Sequence, residues 1–496
     1  MKTITRRNRM ALVAAAACAA LLGVAHAAEE DMFGGSPSRN MVSDETGLPQ
    51  SWDLKTGKNV KWTAQLGSQT YAGPVVADGR VYVGTNNEAR RNPEQDGDRG
   101  VVMAFDAETG SFLWQAAHPK LPSGLVNDWP LQGVCSTPHV IGDRVYYLSN
   151  RAEVICADAE GFRDGENDGP FKEEKDTSEL AEDIIWKFNL IGELDVFPHN
   201  LAAGSPLVID GILYVTTGNG VDEGHVNIPS PFGPSFVALN VKDGTLAWEN
   251  ADPGEKILHG TWSNPSYGVV DGRAQVVIPG GDGWIYSFEP QTGKVLWKFN
   301  ANPEGSKWVL GGRGTKNNVI ATPVIHDGVV YVAVGQDPEH GEGIGHLWAI
   351  DATKSGDVTK TGLVWHFGDE DFHRTISTVA IKDGLLYAAD LSGFLYCLDL
   401  KTGKQLWKYD AFAAIWSSPY VADGKVYITD EDGDVAILRA GPKMELLGEI
   451  NMGNAVYTTP KAHDGVLYVA SRTTLFALEN GAQLQEPKSD GAAPSR

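Results

Sequence analysis

Cysteine is scarce in this chain of 496 residues: Cys18, Cys135, Cys156 and Cys397 are all there is. No two lie close together, which excludes a disulfide framework, a cysteine-based zinc motif and a c-type haem attachment motif. Cys156 in EVICAD and Cys397 in FLYCLD occupy matching places in two strand-like segments and read as small buried hydrophobes. Basic charge is also short. Against 64 Asp and Glu there are 41 Lys and Arg, a net charge of -23. That excludes a nucleic-acid binder, which needs clustered cations to neutralise phosphates. Long hydrophobic runs are nearly absent as well. One run, from Ala11 to Ala25, is too short and too rich in alanine to be a good membrane span, so no transmembrane segment is expected.

That run belongs to an export signal covering residues 1–27. Lys2, Arg6, Arg7 and Arg9 precede it, and Ala25-His26-Ala27 offers a small-x-small cleavage site before Ala28. Thr5-Arg6-Arg7 leaves Sec and twin-arginine export both open. Lipid anchoring at Cys18 is not expected, because the residues just before it, 14–17, are all alanine and an intact cleavage site follows. The mature protein is expected to be periplasmic or secreted.

The length exceeds that of an ordinary compact domain, and internal repetition accounts for it. A short strand entered through a small-residue step before proline recurs at Pro74, Pro138, Pro206, Pro265, Pro323, Pro419 and Pro460, with Val379 filling the remaining slot. A tight turn follows each, Asp78-Gly79 being the first and Asp464-Gly465 the last. Asp-Gly between alternating apolar residues is a strong hairpin signal. A third strand, a turn such as DAETG, EPQTG or DLKTG, and a fourth strand come next, the fourth carrying Trp114, Trp186, Trp248, Trp297, Trp365 or Trp407, or Leu447 in the seventh unit. The eighth unit has three strands. Its fourth lies at the other end of the chain, where DLKTGKNVKW carries Trp62. The expected fold is all-β: an eight-bladed β-propeller of four-stranded antiparallel blades, closed by the N-terminal strand completing the last blade. The expected organisation is an N-terminal extension over 28–51, the propeller over 52–480 and a flexible tail over 481–496. The tryptophans are expected to pack between blades.

Short first turns make one face of the ring plain, and the long loops gather on the other. An acidic insertion, Glu160 to Asp183, reads as a solvated flap on the plain face. The loop-rich face collects His199, Asn200, His225, His259, Trp262, Arg313, Asp337, Glu339, His340, Glu342, His346, His373 and Arg374. Several of these stand just before innermost strands, at the mouth of the central channel. Convergent polar groups there are read as a ligand pocket formed by His199, Asn200, His259, Trp262, Arg313, Asp337, His340, His346, His373 and Arg374. His340 and His346, with Asp337 and Glu339, are also candidate metal ligands, although their spacing matches no zinc signature.

The repeated pattern S/T-x-P, DGxVYV and AxDxxTGxxLW resembles the pyrroloquinoline-quinone (PQQ)-like β-propeller repeat over about residues 52–480. That family includes quinoprotein alcohol dehydrogenases and an outer-membrane assembly scaffold. The resemblance implies PQQ with calcium or a lanthanide, with Asn219 in TTGN and Glu153 in SNRAEV at metal-binding positions. It also implies an acidic Trp-Asp-x-Asp segment, and here HGTWSNP keeps His259 and Trp262 but places Ser263, Asn264 and Pro265 where the acids belong. A neutral serine does not replace a carboxylate base or supply charge to a metal. The expectation is therefore an exported propeller binding a small-molecule ligand or an envelope protein partner at its channel mouth, without standard quinoprotein alcohol oxidation. A PQQ- and metal-dependent dehydrogenase and an envelope assembly scaffold are the alternatives.

Overall fold

In the computed structural model, residues 29–336 and 338–484 are described; the signal at 1–27 and most of the tail after 480 lie outside them. Eight sheets follow one another around a ring, antiparallel except where the short strand Gly356–Asp357 runs parallel to Val295–Asn300 at the outer edge of blade 4. The first blade is built from Val75–Ala77, Arg80–Asn86, Arg99–Asp106 and Phe112–Pro119. The last takes Lys461–His463, Val466–Ala470 and Thr474–Gln483 from the C-terminal end and Lys58–Gln65 from the N-terminal end. Trp62 stands opposite Ala477 in that closing pair. No helix among the described residues is long and apolar enough to cross a membrane.

The repeat signals have separate physical jobs. In seven of the first hairpins both turn residues take positive φ, as at Asp78 (48°) and Gly79 (72°), a conformation that Asp tolerates and Gly adopts freely. The residue before each proline links blade to blade. Gly73 N donates to Thr137 Oγ1 (3.0 Å), Thr137 N to Ser205 Oγ (3.0 Å) and Ser205 N to Asn264 Oδ1 (2.6 Å). Asn264 Nδ2 then donates to Thr322 Oγ1 (2.8 Å), and the relay continues through Thr378, Ser418 and Thr459. The Ser/Thr preference at this position is thus a belt of hydrogen bonds around the channel.

The tryptophans dock outward of that belt. Trp62 Nε1 donates to Ala107 O, Trp186 to Val241 O, Trp248 to Pro290 O and Trp407 to Gly441 O, each carbonyl belonging to the next blade. The Thr-Gly turn lies under the indole; a Cβ at Gly403 would stand 2.6 Å from the Trp365 ring. Apolar clusters straddle neighbouring blades, as where Tyr82 and Trp114 meet Tyr147 and Ile155. Cys135, Cys156 and Cys397 are free thiols, the last two buried.

Two features depart from a plain ring. The N-terminal segment crosses the face of short turns and touches every blade. Asp31 accepts from Val76 N (2.7 Å) and pairs with Lys461; Glu30 meets His139 (2.9 Å). Arg39, fully buried, donates to Pro206 O (2.9 Å) and Pro265 O (2.8 Å). Tyr267 N and Ile325 N donate to Pro37 O and Ser38 O, Asn40 brackets Ile381, and Val42 bridges Val421. The acidic insertion, expected as a solvated flap, instead climbs the outer edge of the first blade. Ala181 bridges Gln115, Asp176 accepts from Asn92 Nδ2 (2.6 Å), and Phe171 packs on the apolar cluster between blades 1 and 2. Covering an exposed strand edge and partly burying Phe171 outweigh the solvation that its charge favours.

Candidate functional site

The central channel is closed below by the N-terminal segment, where Met32, Phe33 and Met41 line a cavity of about 160 Å³. Its walls are set by the repeat. The residue three places before each proline, or before Val379, reaches the cavity from every blade: Tyr71, Cys135, Ala203, Trp262, Ile320, Ile376, Trp416 and Tyr457. Tyr71, Tyr457 and Trp416 form a triangle of rings there, with centroids 5.2 Å (Tyr71–Tyr457), 6.1 Å (Tyr71–Trp416) and 4.8 Å (Trp416–Tyr457) apart. Burial pushes the Cys135 thiol up to about 12, which keeps it a neutral wall residue and not a nucleophile.

Above Trp262 the loops bring imidazoles together. Three backbone segments run side by side: Gly220 N donates to Phe197 O (3.0 Å), His199 N to Gly218 O (3.0 Å) and Val221 N to His259 O (2.9 Å). Gly220 lies between the two histidines, where a Cβ would meet His259 O at 2.4 Å and the His199 Cβ at 2.7 Å. No other residue type lets the strands approach this closely. His225 joins from the tip of the same loop, at φ 56°, its N–H bonded to Asp222 O (2.9 Å). His199 Nδ1 stands 2.8 Å from Val221 O, and its Nε2 stands 3.0 Å from His225 Nε2. The ligand nitrogens of His199, His225 and His259 all lie within 4.8 Å of one another. His340 adds a fourth ring, 4.8 Å from His259 between centroids, backed by Trp308 at 6.1 Å. Trp262 lies beneath, 5.0 Å from His259, its Nε1 held by Leu201 O (3.0 Å).

The other sequence-predicted residues go elsewhere. Asn200 takes φ 61°, and its N–H donates to Val126 O (2.7 Å), tying the loop to the blade 1–2 connection. Arg374 is fully buried and donates to Asn317 Oδ1, His340 O and Gly314 O (3.1, 3.0 and 2.7 Å). Arg313 is exposed on the blade 4–5 connection, and Asp337 lies outside the described residues. His346 points away from His340 into its own sheet, with Nδ1 3.1 Å from His366 Nε2; burial and that neighbour hold it down to about 4. His373 pairs with the buried Asp390 (3.1 Å), which raises its pKa. Asn219 is buried, its Oδ1 accepting from Phe197 N and its Nδ2 donating to Ser230 O and Gly233 O (each 3.0 Å). Glu153 pairs with Arg151 and Lys187 (both 3.5 Å). Ser263 Oγ donates to Ala321 O (2.8 Å). Gly220 and Trp308 carried no signature; the glycines around Asn219 are the one sequence signal of a close approach there.

Comparison with known proteins bears on the whole ring. A family profile described as outer membrane protein assembly factor BamB matches residues 29–122, 95–166, 182–361 and 345–441. Outer membrane protein assembly factor BamB of Yersinia pestis is 24% identical over 370 residues, 68% of this chain and 79% of that one. A polyvinylalcohol dehydrogenase of a Pseudomonas sp is 26% identical over 308 residues, 57% of this chain and 42% of that protein. Among solved structures, a europium-containing methanol dehydrogenase superposes with a TM-score of 0.57 at 15% identity, covering 89% of each chain, a likeness of fold.

Proposed function

The chain belongs to the PQQ-like β-propeller family whose profile is described as outer membrane protein assembly factor BamB, and from that premise we propose that it is an exported binding propeller. Its loop-rich face captures a ligand or envelope protein at the channel mouth, without quinoprotein alcohol oxidation. The observation that carries this reading is the convergence of His199, His225, His259 and His340 over Trp262.

PQQ with calcium or a lanthanide does not fit these residues. A hard cation of that kind needs carboxylate and carbonyl oxygens. At the positions of the expected acids stand Ser263, bonded to Ala321 O, and Pro265, with Asn264 between them a link of the inter-blade belt. The Asn219 amide is engaged by three backbone groups. The Trp262 ring, against which a planar quinone would stack, is met by imidazoles at 5.0 and 6.0 Å.

A protein as the captured partner is favoured by one further observation. Val226 (74% exposed) and Phe232 (88%) stand on the same long loop as His225, apolar side chains that a protein seated at the channel mouth would cover. The test of the reading is titration of the mature protein with PQQ plus calcium or a lanthanide, followed by absorbance and calorimetry. No saturable binding is expected; saturable binding abolished by Asn219→Ala restores the dehydrogenase.

A further inference from the structure

Three imidazole nitrogens converging on one point form a facial tridentate donor set, and the chain invests unusual local geometry in making it. Gly220 exists at a spacing that only hydrogen fills, between the backbones of His199 and His259. The His199 Nδ1–H donates to Val221 O (2.8 Å), which leaves the lone pair on Nε2, turned toward His225. A hydrogen bond of this kind to a carbonyl is what fixes the tautomer and orientation of a metal-ligating histidine. In a tetrahedral site with metal–nitrogen distances near 2.0–2.1 Å, ligand nitrogens stand about 3.4 Å apart. The His199–His225 separation of 3.0 Å and the 4.8 Å limit on the trio bracket that value.

We propose that His199, His225 and His259 hold one late first-row divalent ion, zinc or copper(II), with His340 facing the fourth position. An all-imidazole set selects these borderline ions and disfavours calcium and lanthanides. The inference deepens the reading of the loop-rich face as the binding face and rests on it. Trp262 separates the ion from the channel cavity, and Arg374, through the His340 carbonyl, positions the fourth ring.

The experiment uses the mature protein without a histidine tag, stripped with chelator and titrated with Zn²⁺ or Cu²⁺ alone. One ion per chain at submicromolar affinity is expected. X-ray absorption of the zinc form should show a first shell dominated by nitrogen, and the copper form should show nitrogen hyperfine structure in its paramagnetic resonance. His225→Ala should weaken binding about 100-fold or more with an unchanged circular dichroism spectrum, and His225→Gln should do the same if the alanine variant folds poorly. His346→Ala, in the second buried histidine pair, should leave affinity unchanged. Absence of stoichiometric loading, equal affinity in wild type and both His225 variants, or an oxygen-only first shell overturns the site. None of these readouts depends on the quinone titration, which alone decides the wider reading.

Discussion

The guanidinium of Arg374 donates to the main-chain oxygen of His340 at 3.0 Å, so a buried cation on the way into the sixth blade holds an imidazole supplied by the fifth. The same side chain reaches Gly314 O at 2.7 Å and Asn317 Oδ1 at 3.1 Å. One planar fork thereby ties the blade 4–5 connection, the long loop of blade 5 and the blade 5–6 connection at the channel mouth.

Arg374→Met leaves several acceptors without their donor, and buried groups left unpaired cost about 1–3 kcal/mol each. A loss of about 3 kcal/mol is expected from denaturant midpoints. Arg374→Lys should recover less than half of it, because an ammonium cannot reproduce the fork. Full recovery by lysine would mean that charge alone matters there.

Between blades 1 and 2 lies a buried cluster with a readable pH dependence. The Tyr147 hydroxyl donates to Glu182 at 2.5 Å and stands 2.8 Å from His118 Nε2. Burial pushes the Glu182 carboxyl up to about 7 and the His118 imidazole down to about 3. The carboxyl's contribution is complete below its unfolded value of 4.5 and is lost as pH rises through about 7. The imidazole's contribution is complete above 6.5 and is lost as pH falls through about 3. Glu182→Gln, neutral at every pH and still an acceptor for Tyr147, should therefore gain on the wild type between about pH 5 and pH 8. Melting temperatures of both proteins across that range check this, and a gap that does not change with pH would refute it.

Two glycines separate backbone strain from steric conflict. Gly424 (φ 68°) has nothing within 4 Å of a built Cβ, whereas at Gly403 (φ 69°) the Cβ would lie 2.6 Å from the Trp365 ring. Gly424→Ala should cost about 1–2 kcal/mol from the left-handed backbone alone. Gly403→Ala should cost at least about 2 kcal/mol more, since the indole must leave its seat between blades. Equal costs in equilibrium unfolding would show that the Thr-Gly glycine serves only the turn.

Buried Asp31 and half-buried Lys461 form an ion pair beneath the ring, with Asp31 also accepting from Val76 N. Removing one charge strands the other, at about 3–5 kcal/mol. Asp31→Asn should destabilise by that order, and adding Lys461→Met should restore much of the loss. A double variant no better than the single one would mean that the backbone hydrogen bond, not the charge, is what Asp31 supplies.

The ring was legible because its signals are local and repeated. Proline register, Asp-Gly turns and tryptophans after turns such as DAETG, EPQTG and DLKTG recur along the chain, and the unmatched strand around Trp62 named its own partner. Val379 shows why: its blade lacks the proline yet keeps Thr378, the residue that makes the inter-blade bond. The N-terminal crossing was not legible, since residues such as Arg39 and Asn40 follow no period and bond to carbonyls and amides scattered over the ring. The acidic insertion misled because composition reports charge, while Phe171 and backbone pairing decided where it lies. At the site, all of the converging histidines were visible as residents of one face. Their grouping was not, because it depends on loop paths: His346, six residues after His340, turns into the sheet toward His366, while His225 reaches His199 across a loop.

Within the closing blade, the strand carrying Trp62 is made before the first blade and its neighbour around Ala477 after the seventh. However many blades are finished before then, the growing chain keeps two raw sheet edges and an unsealed bore, the surfaces most prone to join other chains. A truncated product cannot pass as a smaller, tidy protein. Its incompleteness is displayed on its outside, where proteases and chaperones can read it, so the architecture audits its own synthesis.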